Sequence, residues 1–466
     1  MPALCAEGVC APGVLYGLTA RFDRRARFSK IEGATLYDLR KAVPVLLSSL
    51  IDVPRCALSG ALACGDVSRC CLREWLAGVP DPRSRLGRWH PLEFVLALAV
   101  CAYTAAGHDC AEAVAEWASG CSQQTLAVLG GRRDPWSMRI WPPSARTFGR
   151  ILGKIDAEAF SAALCGYLAV LPSGPSQDLP AVTRHEREQR RAAGARPEPS
   201  GLLPQAAADG KTVRGAIRPD GSRVHLLSVL DTGTGRVRAQ RETGAKANEI
   251  PELASVIAHL DLTGQVVTAD ALHTQRKTAR HLVETKKAHY LMIVKASQPA
   301  LMKAVARALA GPDADFAGAT WAEEGKGHGR RERRAIRTAP SKGISWPHAA
   351  QVLRIRRDSG ATHGSWEHKE LAYGITSLPA DLAGPRHLAF YARQHWAIEN
   401  REHHVRDVTF REDAQKTRTG SQPETRAAIR NLVIGALRHA GYANIAHARR
   451  YYGRDDQRIL TLYGYS

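Results

Sequence analysis

The feature that most constrains this chain is a change of hydrophobic period on either side of a stretch that has none. From about Val43 to Leu171 apolar residues recur at helical spacing, whereas from Val224 onward they fall in the short alternating runs of strands. Between them, Pro172 to Pro204 is rich in proline, glycine and charge (PSGPSQDLP, then TRHEREQRRAAGARPEPSG). It has no apolar stripe to bury and reads as a linker. With 466 residues the chain has room for two or three folding units. The expectation is an all-helical N-terminal domain followed by an α/β domain.

Local signals set the boundaries. Residues 1–42 mix glycine, proline and arginine without a period and read as a loosely ordered extension, and the helical domain spans 43–172. Within it, Pro91 opens an apolar helix, Cys110 to Ser119 form a shorter one stopped by Gly120, Ser144 caps a third, and Ala157 to Leu171 make a fourth. The linker is 173–203, and its basic run Arg184 to Arg196 reads either as a phosphate contact or as a solvated tail. The α/β domain begins at 204. VHLLSVLD (224–231) and RVRAQRET (236–243), separated by TGTG, predict a hairpin. QVVTAD (265–270) and HYLMIVK (289–295) predict strands flanking a helix over Gln275–Lys286. A first part of the core thus covers 204–310. Short strands such as ERRAIRTA and AAQVLRIRRD make 311–380 a β-rich insertion, and helices from near Leu388 to His447 fill most of 381–466.

Charge narrows the partner. The 65 lysines and arginines against 45 acids give a formal charge of +20, which suits a polyanion, and nucleic acid is the first candidate. An anionic membrane surface is the competing reading, with no anchor to support it: the longest apolar run, Phe94 to Ala106, falls short of a bilayer span. The opening MPALCAEGVCAPG lacks a basic region before an apolar stretch, so a cytoplasmic protein is expected. All ten cysteines precede residue 166 and none forms a CxxC pair, which favours reduced thiols over disulfides or a zinc site. GKT at 210–212 resembles the end of a phosphate-binding loop, but Gln205 stands where its first glycine belongs. HEREQ at 185 lacks the second histidine of a zinc protease.

Three acids stand out by context: Asp209 in AAADGKTVRG, Asp270 in VVTADALHTQ and Glu399 in HWAIENREHHVRD. Asp270 follows an apolar strand and Asp209 ends a weaker one, so both can emerge at one sheet edge. His395, Glu399, His403 and Arg406 share one helix face. Carboxylates converging in a basic protein suit a pair of Mg2+ ions, hard cations that clamp both oxygens of an in-line displacement at phosphorus. Lys211, Arg214, Lys295 and Arg406 are placed to steady phosphate oxygens. In EEGKGHGRRERR (323–334), His328, Arg330, Arg331, Arg333 and Arg334 read as contacts to a nucleic-acid backbone, and His273 as either a DNA or metal-shell contact or a surface histidine. Each acid also has a structural reading: Asp209 as a turn former, Asp270 as a helix cap, Glu399 as the ion-pair partner of Arg393 or His403.

Many separated segments in order carry a resemblance over roughly residues 80–460: DPRSRLGRWHPLEFVLALAVCAY, PPSARTFGRIL, ADGKTVRGA, KANEIPELASVIAHLDLTGQVVTADALHTQRKTA, VKASQP, GHGRRERR, YGITSL, RQHWAIENREHHVRDVTFREDA and RNLVIGALR. The chain resembles insertion-sequence transposases of the H-repeat-associated group within the DDE superfamily. The resemblance implies a ribonuclease-H-like α/β core with a β-rich insertion, Asp209, Asp270 and Glu399 as catalytic metal ligands, and two Mg2+ ions for which Mn2+ can substitute. It further implies DNA as partner (transposon terminal repeats and target), a homodimer holding both ends, and a nucleoid-associated place in a bacterial cytoplasm, with the helical domain as a candidate end-binding unit. Related enzymes carry Tyr-x2-Arg-x3-Glu-x6-Lys around the Glu. Here Arg406 takes the last basic position, but His395 stands for Arg and Ala392 for Tyr, with Tyr391 and Arg393 one and two residues away. His395 joins the expected DNA contacts. Two other readings use the same residues: a DNA-binding protein derived from such an enzyme, and a hydrolytic nuclease without strand transfer.

Overall fold

A helix that is apolar on every side must be covered on every side. In the computed structural model, twelve of the thirteen residues of Leu92–Thr104 are buried, and finding their cover explains how the two ends of the chain are packed. The structure describes residues 71–172, 198–244, 249–327, 330–361 and 365–465. The expected extension 1–42, nearly all of the linker and His328 lie outside them.

The N-terminal helices are α1 (Leu72–Ala77), α2 (Leu92–Thr104), α3 (Ala111–Gly120), α4 (Gln123–Val128), α5 (Ala145–Leu152) and α6 (Ala157–Val170). Their starts follow local chemistry: Ser144 Oγ accepts from the Thr147 amide, and the Asp156 carboxylate accepts from that of Ala159. The six-residue α1 and α4 are too short for a periodic signal and were not anticipated. Cys101, Cys110, Cys121 and Cys165 are thiols.

Next come β1 (Gln205–Ile217), β2 (Arg223–Asp231), β3 (Arg236–Thr243), α7 (Glu249–Val256) and β4 (Val266–Ala269). They are followed by α8 (Arg276–Arg280), prolonged by a wide π turn over His281–Thr285, then β5 (His289–Val294) and α9 (Pro299–Ala308). Four longer strands complete the sheet: β6 (Thr320–Gly327), β7 (Arg330–Pro340), β8 (Gln351–Ala361) and β9 (His368–Thr376). All nine strands form one sheet in the order β3-β2-β1-β4-β5-β9-β8-β7-β6. β1 is antiparallel to β2 and parallel to β4, and β4 is parallel to β5. The expected insertion is therefore no separate layer. β9 pairs antiparallel with β5, Leu291 opposite Thr376, and carries the sheet onward.

β1 also differs from expectation, because it continues past Asp209 to Ile217. Only its parallel pairing with β4 stops at Ala208 opposite Ala269. Its weak apolar character has a packing reason. Ala206 and Ala208 fill one core, while Ala207 faces Ala397 and Ile398 on the other side, so small side chains let a helix approach the strand closely.

That helical stretch belongs to the C-terminal series α10 (Pro385–Gln394), a π turn at Glu399–His403, α11 (His404–Val408), α12 (Gln422–His439), α13 (Ile445–Tyr452) and α14 (Asp456–Leu462). The helices thus run beyond the expected end at His447. They supply the cover α2 needs, since Phe410, Ile429, Leu432, Val433, Tyr452 and Tyr463 share one apolar core with α1–α6. A Cβ at Gly435 would lie 2.8 Å from Leu168, which measures how closely α12 meets α6. The helical region before the linker is consequently one layer of a joint core. No helix among the described residues is long and apolar enough to cross a membrane.

Candidate active site

Asp209 sits where β1 leaves its parallel partner, and Asp270 is the residue after β4, one step beyond the Ala208–Ala269 pair. Neighbouring strands run about 4.8 Å apart, so the two backbones present their carboxyls side by side. Glu399 begins the π turn that packs over Ala207 through Ala397 and Ile398. One oxygen each of Asp209 and Glu399 and one ring nitrogen of His403 lie within 4.8 Å of one another. His403 Nδ1 is 3.0 Å from Glu399 and 3.6 Å from Asp209. Asp270 is outside this cluster, its carboxylate accepting from the Leu272 amide at 2.8 Å as a cap of the short turn Ala271–His273. Two of the structural readings given to these acids are thus real contacts: the Asp270 cap and the Glu399–His403 pair.

The electrostatics record crowding. Burial pushes the Asp209 carboxyl up to about 6, and Asp270 and Glu399 add to the rise while His403 opposes it. The hydrogen bond from His403 holds Glu399 below its ordinary value. Burial works against charge on His403, but Glu399, Glu402 and Asp209 outweigh it and raise its pKa. The donors fit a divalent cation: two carboxylates and an imidazole converge, a third carboxylate stands beside them, and a cation relieves the repulsion felt by Asp209. His403 Nε2, buried without a hydrogen-bond partner among the described residues, leaves that ring committed to the cluster through Nδ1.

A cleft of about 260 Å³ opens beside Asp270, between the sheet and α10, and brings together Asp270, Lys295, Arg334 and His395 with Trp321 and Trp396. Lys295 is exposed. His395 donates to or accepts from Thr268 Oγ1 at 3.1 Å, and burial, partly offset by Asp270, lowers its pKa to about 4, leaving it neutral near pH 7. Arg330 is exposed at the start of β7, and Arg331 stacks over Trp366 at 4.2 Å. Arg214 is exposed on β1 and paired with Asp413.

Three expected phosphate contacts are placed otherwise. Arg406 is fully buried between Glu402 (3.0 Å) and Glu412 (2.8 Å). Lys211 is buried, 2.7 Å from Asp407 and 3.3 Å from Asp413, and His273 is wholly enclosed. A charge removed from water requires an opposite charge, and these acids supply it at the expense of any contact with a polyanion. Of the residues beside the missing signature positions, the Tyr391 hydroxyl bonds the Leu203 backbone, and Arg393 pairs with Glu323 while lining the cleft with Asp270.

The reading of the sequence missed the clamp behind the site. Ser228, directly opposite Asp209 across β1 and β2, donates to Glu402 at 2.8 Å. Glu402 receives Arg406, Arg406 also binds Glu412, and Arg430 closes the chain on Glu412 at 2.7 Å. Lys211, two residues after Asp209, holds Asp407 of α11. Both contacts tie the strand of Asp209 to the helix of Glu399 and so set their separation.

Comparison with known proteins identifies the family. The family model described as "Transposase DDE domain" matches residues 203–435, and one described as "DDE_Tnp_1-associated" matches 73–168. The chain is 27% identical over 79% of its length, and 87% of the relative's, to a protein of Escherichia coli O157:H7 provisionally named transposase YncI. It is 30% identical over half its length to the provisionally named H repeat-associated transposase YhhI of Escherichia coli strain K12, of which it covers 63%. A cryo-EM structure of the piggyBac transposase synaptic complex with hairpin DNA covers 82% of each chain at 10% identity, with a TM-score of 0.35, too low to bear on function. Since the transposase model spans half of the sequence, from before Asp209 to beyond Glu399, and the associated model precedes it, the chain belongs to the DDE-domain transposase family.

Proposed function

We propose that this protein is a DNA transposase that cleaves transposon ends and joins them to target DNA, with a ribonuclease-H-like core and divalent cations at Asp209, Asp270 and Glu399. The observation that carries the reading is the convergence of Asp209 and Glu399, with Asp270 just past the end of the adjacent strand. The strand order β3-β2-β1-β4-β5, an antiparallel meander leading into a parallel pair, supports the core assignment. The family membership and the basic charge of the chain support DNA as its substrate.

The chemistry is two displacements at phosphorus. Water attacks the phosphodiester at the transposon end, the bond to the 3′ oxygen breaks, and a 3′-OH is released. That hydroxyl then attacks a target phosphodiester, forming one P–O bond as another breaks, and its proton leaves to solvent. Asp209, Asp270 and Glu399 would hold Mg2+ or Mn2+, which would supply activation of the attacking oxygen and charge compensation at phosphorus. Asp209 and Glu399 are held by their strand and π turn, and His403 fixes the orientation of Glu399. Lys295 and Arg334 line the cleft beside Asp270, where they can hold a phosphate backbone against that carboxylate. Two protein copies, one at each end, complete the proposed assembly.

The test combines transposon-end DNA, Mg2+ and a target plasmid. Nicked ends and joined product are expected, and both must vanish in Asp270→Ala. Cutting without joining reduces the protein to a nuclease, and no cutting at any metal concentration overturns the reading.

A further inference from the structure

Of the ten large apolar side chains that stand exposed among the described residues, five fall between Leu86 and Trp141. Three of these crown one loop. Trp136 is 90% exposed, Met138 61% and Trp141 52%. The loop is built to hold them there. Arg133 and Ile140 form a bridge at its base, the Asp134 amide donates to the Arg139 carbonyl at 2.8 Å, and the Met138 amide donates back to the Asp134 carbonyl at 2.9 Å. The Asp134 carboxylate accepts from the Trp136 and Ser137 amides and from the Ser137 hydroxyl, and Arg133 caps the Met138 carbonyl. Met138 takes a left-handed conformation, φ 54°, which a non-glycine residue adopts only at a cost. A chain that rigidly displays tryptophan and methionine to solvent has forgone burying them.

The charge around the loop selects the partner. Arg132, Arg133 and Arg139 are exposed, and the single acid of the stretch, Asp134, has its carboxylate committed to the loop's own hydrogen bonds. Arg132 lies over Trp89 at 5.6 Å and Arg139 over Trp141 at 5.4 Å, so guanidinium and aromatic groups alternate. An apolar tip ringed by arginines matches duplex DNA, in which a wedge enters between base pairs while cations hold the flanking phosphates.

We propose that the 133–140 loop is a DNA-bending wedge, with Trp136 and Met138 entering a base step and Arg132, Arg133 and Arg139 on the backbone. The inference rests on the transposase reading for its partner, but the wedge acts remote from Asp209, Asp270 and Glu399 in sequence and is independent of their chemistry.

The test uses full-length protein and a mixed-sequence duplex of about 20 base pairs, roughly 68 Å long, carrying donor and acceptor dyes at its two ends, read for anisotropy and for energy transfer. Both tip residues are exposed, so Trp136→Ala with Met138→Ala is expected to leave the melting curve unchanged. The double variant is expected to lose the bend seen as raised transfer and to bind about tenfold more weakly. Arg132→Ala with Arg139→Ala is expected to lower the slope of log affinity against log salt by about two, one per lost phosphate contact. Equal bending and affinity in wild type and the double variant overturn the wedge while leaving the transposase reading intact. Failure of the wild type to bind any duplex overturns that reading as well. Conversion of a wild-type dimer to a monomer in sedimentation, with DNA bending unaltered, assigns the loop to a second copy of the chain and also overturns the proposal.

Discussion

His403 and Arg406 lie one turn apart, and burial gives them opposite work. His403 turns its Nδ1 to the carboxylates of Glu399 and Asp209. Its removal, as His403→Ala, is expected to weaken Mn2+ binding by about 10–100-fold in titration calorimetry, the usual cost of losing a group that orients or completes a metal site. Arg406 is enclosed by Glu402 and Glu412, so Arg406→Met strands buried acids and is expected to cost about 3–5 kcal/mol in urea unfolding. Because Arg406 has no exposed surface, the salt dependence of DNA binding by Arg406→Lys should match the wild type. A drop in slope of about one would restore it as a phosphate contact. The sequence offers a basic residue near Glu399 in both readings, phosphate contact or buried pair, and only burial separates them. A trace was present in the spacing of Glu402 four residues before Arg406 and Glu412 six after it, which permits a clamp without requiring one.

At the scale of elements, α12 meets β3 through Glu424, whose carboxylate accepts from the Glu242 amide. Burial, with the nearby Glu242 charge, pushes its pKa up to about 7. The folded protein therefore holds a proton that the unfolded chain releases above its ordinary value of 4.5. This contribution is fully present below pH 4.5 and is lost as pH rises through 7, a change on the order of 3 kcal/mol. Glu424→Gln should accordingly raise the melting temperature at pH 8 and change it little at pH 4.5, as calorimetry at the two values will measure. Glu412 has the opposite sign. Burial opposes its charge, but Arg406 and Arg430 hold its pKa at about 2, so its stabilisation is present above pH 4.5 and fades as pH falls toward 2. Element positions were largely readable where the cause is local: Ser144 caps a helix, and TGTG turns β2 into β3. The pairing of β5 with β9 was not readable, since Leu291 and Thr376 are 85 residues apart and neither strand's alternation names its partner.

For the whole molecule, the period change at the linker suggests two independent units, but the helices on its two sides pack together. α1–α6 bury their apolar faces against α12–α14, contributed from the far end of the sequence. A fragment of residues 71–172 alone is expected to lack cooperative thermal unfolding by circular dichroism, because the thirteen-residue α2 has cover only when Phe410 and residues 428–463 are present. A cooperative transition in that fragment would make it a domain in its own right. The three acids proposed as catalytic stood out by context, but their arrangement did not. The turn of Asp270 toward Leu272 and the entry of His403 depend on side-chain directions that spacing does not specify.

The backbone bond from the Leu72 amide to the Tyr463 carbonyl, 3.0 Å, seals this joint core at its two extremes. For a ribosome, it means that helices made first wait for those made last. A message broken before Gln422 yields a product with its N-terminal apolar surface bare, fit for proteolysis rather than for occupying DNA. Such a truncation would leave the helices beside the Trp136 loop without the packing that Ile429, Leu432 and Tyr463 supply, so the loop's display depends on residues more than 280 positions away.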